Sequence, residues 1–322
     1  MKAAVIYENG GPGVLRYEDV PDPEAADGAV VVDTEAISIE GGDLLARAQG
    51  DQAATPHVVG YLNAGTISAV GAGVEGLAVG DRVVALNMDG SHAAKRAVPA
   101  ALTWAIPDGL DAARAACVPV AFGTAQECLF TAGGLEAGQT VLVHAGAGGV
   151  GMAAIQLAKQ AGATVLATAS SDEKLDRLKA YGLDHGINYA NESFVDAVKR
   201  ITESRGVDVV IDSIGGRNLV DGIDVLAYRG TLVSVGLAAR AGSEIEARSL
   251  WNNNNALRGV FLGGALLSEY GRIHAMIGDL IERVAGGELT VEIDSSFPLA
   301  EAAAAHEYAE SRKAFGRVVI EP

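Results

Sequence analysis

Cysteine is nearly absent: Cys117 and Cys128 are the only two in 322 residues, both in apolar surroundings. Two thiols cannot build a disulfide framework or a four-cysteine zinc lobe, so a reducing, cytoplasmic setting is expected. Basic residues are scarce as well. With 24 Lys and Arg against 41 Asp and Glu, the net charge of −17 offers no cationic face to a nucleic-acid backbone and is repelled by anionic lipid. A small-molecule partner is expected, not a nucleic acid or a membrane. Aromatic residues make up only 5%, which argues against a heavily aromatic pocket, although Tyr61, Trp104 or Phe261 would suffice locally. Long hydrophobic runs are missing too. The opening MKAAVIYENG breaks its apolar stretch after a few residues and reads as a strand and a turn, neither a signal peptide nor a membrane span.

What is present is an apolar chain, 49% hydrophobic with mean hydropathy +0.22, long enough for two domains. Up to about residue 119 short β-branched runs alternate with turn residues: AAVI, AVVVDTEAI, AGTISAVGAGV and DRVVAL. From 120 to 286 apolar strands such as TVLVHA, TVLATA, GINY, DVVIDSI and TLVSVG alternate with amphipathic helices. That rhythm predicts an α/β fold with a doubly wound parallel sheet covered on both faces. The tail 287–322 returns to short strands around a helix through EAAAAHEYAES, and its last strand, RVVIEP, is placed to rejoin the first domain. Asn252 to Asn255 reads as a polar loop or helix end.

The most specific motif is VLVHAGAGGVGM, in which Gly146-x-Gly148-x-x-Gly151 follows a strand and opens a helix. Gly146 is expected to permit a tight turn, Gly148 to clear space for a pyrophosphate, and Gly151 to let helix and strand pack closely. The helix N-terminus, with Gly149 and Val150 in its first turn, then presents unpaired amides and a partial positive charge to the anion. The ligand is therefore a dinucleotide. In TVLATASSDEK the next strand is expected to end at Ala169, where an acidic residue would hold a ribose 2′-hydroxyl. Ser170 and Ser171 follow as hydroxyl donors and Lys174 as a phosphate counter-charge, which makes an NADP(H) site. Counting about 20 residues from the loop lands nearer Asp172, which would argue for NAD; Asp172 also suits the helix dipole as a solvated first-turn residue. Tyr189 either covers the adenosine phosphate or simply packs.

These residues resemble the medium-chain dehydrogenase/reductase superfamily, in particular its zinc-independent quinone oxidoreductase-like branch. The resemblance rests on VGAGVEGLAVGDRVVAL, VLVHAGAGGVGMAAIQLAKQAGATVLATASSDEKL, LDHGINY, VDVVIDSIGG and FPLAEAAAAHEYAESRKAFGRVVI, in family order. It implies a GroES-like, mostly β catalytic domain, 1–119 completed by 287–322, and a Rossmann domain, 120–286, inserted between. It also implies a homodimer through the Rossmann sheet edge, with ALRGVFLGG as the edge strand. Ser213, Gly236, Leu237 and Phe261 join the cofactor-binding set. Where zinc-dependent relatives carry Gly-His-Glu, this chain has Gly60-Tyr61-Leu62, and its histidines, His57, His92, His144, His185, His274 and His306, are scattered singly. Catalytic zinc is not expected.

The chain departs from the quinone reductase pattern as well. Glu40 stands at the place of an asparagine, Leu62 at that of a glutamate and His92 at that of an aromatic, while Asp43 and Arg47 are kept. Thr124 matches a family threonine close to the nicotinamide, or else caps a helix. The expected activity is NADPH-dependent, zinc-independent hydride transfer to a conjugated carbonyl acceptor: an enone, enal or quinone. Tyr61, Thr124 or a backbone amide would serve the developing oxyanion. Glu40 would donate the proton only if burial raised its pKa; pairing with Arg47 would do the reverse. In the alternatives Glu40 is a hinge ion pair and Tyr61 a packed wall. Two other functions compete: metal-free alcohol/ketone oxidoreduction through a relay at Tyr61 or His92, and a non-catalytic NADPH-binding protein.

Overall fold

The computed structural model describes residues 1–50 and 55–322. Contact density divides the chain into two compact units, residues 1–120 with 269–322, and residues 121–268. The first unit holds β1 (Lys2–Ile6), β2 (Arg16–Asp19), β3 (Ala29–Ser38), β4 (His57–Val58), β5 (Leu62–Val70), β6 (Arg82–Leu86), β7 (Lys95–Pro99) and β8 (Thr103–Ala105). The second holds β9 (Thr140–Val143), β10 (Thr164–Ala169), β11 (His185–Asn188), β12 (Val207–Asp212), β13 (Leu226–Ser234) and β14 (Ala256–Gly259). The chain then returns to the first unit with β15 (Ile293–Pro298) and β16 (Arg317–Glu321).

In the first unit a seven-stranded sheet runs β15-β16-β3-β5-β6-β8, with β7 also on β3, beside a small sheet β2-β1-β4. The last strand does rejoin this unit: β16 pairs antiparallel with β3 at Val319↔Ser38 and Ile320↔Ile37. Alternation sorts the side chains. Val30, Val32, Ile67, Val83, Ala85 and Val98 turn to one buried face, where they form a single cluster. The helix Tyr270–Ala285, which the sequence rhythm leaves with the inserted domain, counts instead with the first unit. Its reason is local: Trp104 Nε1 donates to His274 O at 2.9 Å, the two rings stack at 4.7 Å, and Tyr270 Oη donates to Ala101 O.

The second unit is a six-stranded sheet ordered β11-β10-β9-β12-β13-β14, every pair parallel. The strands are near-continuously apolar because both faces are covered. Leu142, Leu166, Ile187, Val210 and Leu232, one from each of five neighbouring strands, pack with Phe194 and Val198 on one side. The order is that of a Rossmann fold, two halves winding outward from β9 and β12.

Candidate functional site

Because all six strands of the second unit point the same way, their carboxyl ends share one edge, and the winding reverses between β9 and β12. Every residue expected at the cofactor follows one of those ends. Gly146 to Gly151 follow β9, Ser170 to Lys174 follow β10, and Tyr189 follows β11. Ser213 follows β12, Gly236 and Leu237 follow β13, and Phe261 follows β14.

The glycine loop is built as a cradle, with one change of roles. The left-handed residue of the turn is Ala145, at φ 52°, so Gly146 is not the conformational hinge. Gly146 is required for space: a Cβ there would lie 2.8 Å from Ala167 Cβ. Gly151 has the expected role, since its Cβ would stand 2.3 Å from Ala145 O and push the helix Gly149–Gln160 off the loop. Gly148 is different again. A Cβ there would meet only Ala145 O, at 3.4 Å, so the side omitted by this glycine faces open space. The first bond of the helix is Met152 N to Gly148 O, which leaves the amides of Gly149, Val150 and Gly151 ahead of the ladder. Such a helix start fits a pyrophosphate.

Ala169 ends β10, where the sequence placed it. Ser170 is half-buried, and Ser171 caps the helix Asp172–Leu178 by accepting from Lys174 N at 3.3 Å. A cap uses the oxygen as acceptor and leaves the hydroxyl proton as a donor. Lys174 is half-buried in the first helical turn. Asp172 opens that helix exposed to solvent and accepts from Asn188 Nδ2 at 2.9 Å. Tyr189 N donates to Ala169 O, and the residue is 47% exposed. At the next two strands Gly236 lets the loops meet: a Cβ would lie 2.6 Å from Ser213 O, and Ala238 N donates to that same oxygen. The sequence reading missed Asp212, a buried carboxylate at the end of β12 that accepts from Ile214 N and Gly215 N. Its place in DVVIDSI was the only signal. Leu237 and Phe261 are largely exposed.

In the first unit Glu40 and Tyr61 come together around Asp43. Glu40 is the N-cap of the helix Gly41–Gln49, and the two ends of a capping box are made: Glu40 N donates to Asp43 Oδ2 at 2.8 Å. Asp43 Oδ1 accepts from Tyr61 N at 3.1 Å. The Tyr61 ring lies on Gly42, where an added Cβ would sit 2.3 Å from Cε2. Burial pushes the Asp43 carboxyl up to about 8, with the Glu40 charge adding to the rise. Burial, Asp43 and Glu40 also raise the Tyr61 phenol.

The partner of Glu40 is Arg317, not Arg47. Positions 40 and 47 are about 10 Å apart along one helix, too far for an ion pair. Arg317 Nη2 donates to Glu40 Oε1, to Ser38 Oγ at 2.6 Å and to Ile39 O at 2.7 Å, and Ser38 Oγ donates to Glu40 at 2.9 Å. Burial drives the Glu40 carboxyl up, and Arg317 and Ser38 oppose it. Arg47 bonds instead to Gly10 O, His306 Nδ1 and, at 2.5 Å, Glu310.

Two of the scattered histidines also meet. His92 Nε2 and His306 Nε2 are 2.8 Å apart, and His92 Nδ1 faces Ser91 Oγ at 3.2 Å. Both nitrogens of His92 thus face a partner, Ser91 on one side and His306 on the other. Burial holds His92 down to about 3. Thr124 lies in the second unit, buried as the seventh residue of the helix Val118–Gln126, which removes the capping alternative. Among the described residues no three or more His, Cys, Asp or Glu side chains gather as a metal centre.

Two family models match the chain: alcohol dehydrogenase GroES-like domain over residues 26–162, and zinc-binding dehydrogenase over 149–279. A 2-haloacrylate reductase from Burkholderia sp is 33% identical, covering 99% of this chain and 98% of that protein. Mycobacterial Rv1454c complexed with NADPH is similar in structure, with TM-score 0.93 and 33% identity over 100% of both chains. The Escherichia coli quinone oxidoreductase complexed with NADPH gives 0.94 and 28% over 100% of both.

Two stability predictions follow from the buried groups. Arg317→Met strands Glu40 and is expected to cost about 3–5 kcal/mol in urea denaturation, while the Glu40→Gln/Arg317→Met double variant regains part of it. Equal losses would mean that no charge is stranded. His144, buried with Nε2 unpartnered among the described residues, is held at about 4 by desolvation. It is neutral when folded, whereas the unfolded chain takes up its proton below about 6.5, so its contribution is present at pH 7 and lost as pH falls. Against His144→Asn, wild type should lose about 2 kcal/mol of its advantage between pH 7 and pH 5; a pH-independent difference would show that the folded and unfolded chains bind the His144 proton equally.

Proposed function

The chain belongs to the medium-chain dehydrogenase/reductase superfamily, and on that premise we propose that it reduces a conjugated carbonyl compound, an enone, enal or quinone, without zinc. It is an NADP(H)-dependent oxidoreductase, a GroES-like domain combined with a Rossmann domain. The observation that carries the acceptor class is the environment of Tyr61. A phenol held by its backbone and ring, with no gathered metal donors among the described residues, can polarise a carbonyl oxygen but supplies no Lewis acid. Such a site suits an acceptor already activated by conjugation.

The cofactor assignments are residue by residue. The amides of Gly149, Val150 and Gly151 would receive the pyrophosphate, with Gly148 leaving room and Gly146 and Gly151 holding the loop. Ser170, Ser171 and Lys174 would bind the 2′-phosphate, Tyr189 would lie over the adenosine end, and Ser213, Gly236, Leu237 and Phe261 would line the rest. Thr124 would sit close to the nicotinamide. When bound, the nicotinamide supplies a hydride to the electron-poor β-carbon of the acceptor. Tyr61 would donate a hydrogen bond to the carbonyl oxygen as negative charge develops there, and solvent would complete the protonation. Glu40 acts as a positioning group, because its carboxylate is taken up by Arg317 and Ser38 and its backbone by Asp43. The edge strand β14, exposed along most of its length, would join two copies into a dimer. Two buried free thiols suit a reducing, cytoplasmic compartment.

The test is loss of 340 nm absorbance from NADPH with a panel of quinones, enones, enals and simple ketones, with and without chelator. Chelator-resistant turnover of one conjugated class supports the proposal; turnover of simple ketones alone, or of nothing while NADPH still binds, removes it. Tyr61→Phe should lower kcat about a hundredfold with NADPH affinity unchanged, and a wild-type rate would retire the phenol. Lys174→Ala should weaken NADPH far more than NADH, and Ala169→Asp should shift preference towards NADH. Equal losses for both cofactors, or unaltered selectivity, would remove the 2′-phosphate assignment.

A further inference from the structure

Tyr61 is held from behind by a side chain that the reading above does not use. Arg96 lies on β7, 3% exposed, and its guanidinium is spent on the backbone around the phenol. Nη1 donates to Tyr61 O at 2.9 Å and to Asn63 Oδ1 at 2.9 Å; Nη2 donates to Gly60 O at 3.3 Å and to Asp89 O. Nε is buried with no partner among the described residues. A buried cation with no carboxylate in ion-pair contact among the described residues, feeling only the charges of Asp89 and Asp43, costs stability that an apolar residue would not.

The geometry gives this side chain a role. Gly60 has φ +111°, and Ser91 and His92 press into the space where its Cβ would be. The segment 58–61 is laced to 87–92 by Gly90 N to Val58 O, Ser91 N to Gly60 O, His92 N to Val59 O and Asn87 N to Tyr61 O. Arg96 spans both segments, so one planar fork fixes the carbonyls of Gly60 and Tyr61 relative to Asp89. Asp43 grips the N–H of Tyr61 and Arg96 its C=O. With both sides of that residue clamped and the ring resting on Gly42, little freedom is left to the phenol.

We propose that Arg96 is a positioning residue for the reduction, setting the place of the Tyr61 hydroxyl by clamping the Gly60–Tyr61 carbonyls with its fork. This rests on the reading of Tyr61 as the oxyanion donor. Lysine keeps the charge and loses the fork, so Arg96→Lys separates position from electrostatics. Arg96→Lys should lower kcat about ten- to a hundredfold, leaving the NADPH dissociation constant, read by cofactor fluorescence, within about twofold. The decisive measurement is a double-mutant cycle. In a Tyr61→Phe background Arg96→Lys should cost less than about threefold, because the group it positions is gone. Independent, multiplying losses would overturn the inference, as would wild-type kcat in Arg96→Lys beside an impaired Tyr61→Phe. Wild-type kcat in Tyr61→Phe would instead overturn the functional reading itself. Should Arg96→Lys fail to fold by circular dichroism, Asn63→Ala, which removes one acceptor of the fork without altering charge, is put through the same cycle with the same two outcomes.

Discussion

The contact between Glu40 and Arg317 takes two opposite charges out of water and joins the start of one helix to a strand 277 residues further along the chain. Desolvation makes such a pair expensive, and Ser38 and Ile39 O offset part of that cost, while Arg317 Nε has no partner among the described residues. The rest of the first unit is arranged around it. Glu40 caps the helix, Asp43 of the same turn holds Tyr61, and Gly42 between them receives the ring. In three dimensions Glu40 thus starts the helix whose Asp43 holds the backbone of Tyr61.

The two units handle charge by different means. The first buries whole ionic side chains, Arg47, Arg96, Arg317, Glu40 and Asp43, and answers each with named donors or acceptors. The second buries Asp212 against backbone amides, leaves Lys174 half-buried and presents the amides of a helix start, an arrangement that fits an anion. Backbone amides do not titrate, so a phosphate site of that kind is insensitive to pH, whereas the Asp43 and His92 environments are not.

Legibility in the sequence followed range. The glycine loop, the end of β10 at Ala169, the parallel sheet and the return of the last strand are all encoded in local periodicity and in turn residues, and they could be read. Which buried polar groups face one another is set by topology. Arg317, His306 and Arg96 carry no local mark of their partners, and the pairing of Glu40 with Arg47 that their shared motif offers is not the one made, since the two lie on different turns. Within the loop itself the spacing of glycines was legible but not the division of labour. An alanine takes the left-handed position, and the glycine beside it gives clearance against Ala167.

The interleaved chain path also imposes an order of events during synthesis. The second unit is one continuous segment, residues 121–268, and has all its strands once that segment is made. The first unit is open until β16 arrives, so Glu40 waits, hydrated, through the translation of the entire second unit. On a ribosome the six-stranded parallel sheet can therefore form first, and the helix Gly41–Gln49, whose Asp43 holds Tyr61, is locked last. The unit in which the chain begins and ends is thus completed only after the unit inserted within its sequence.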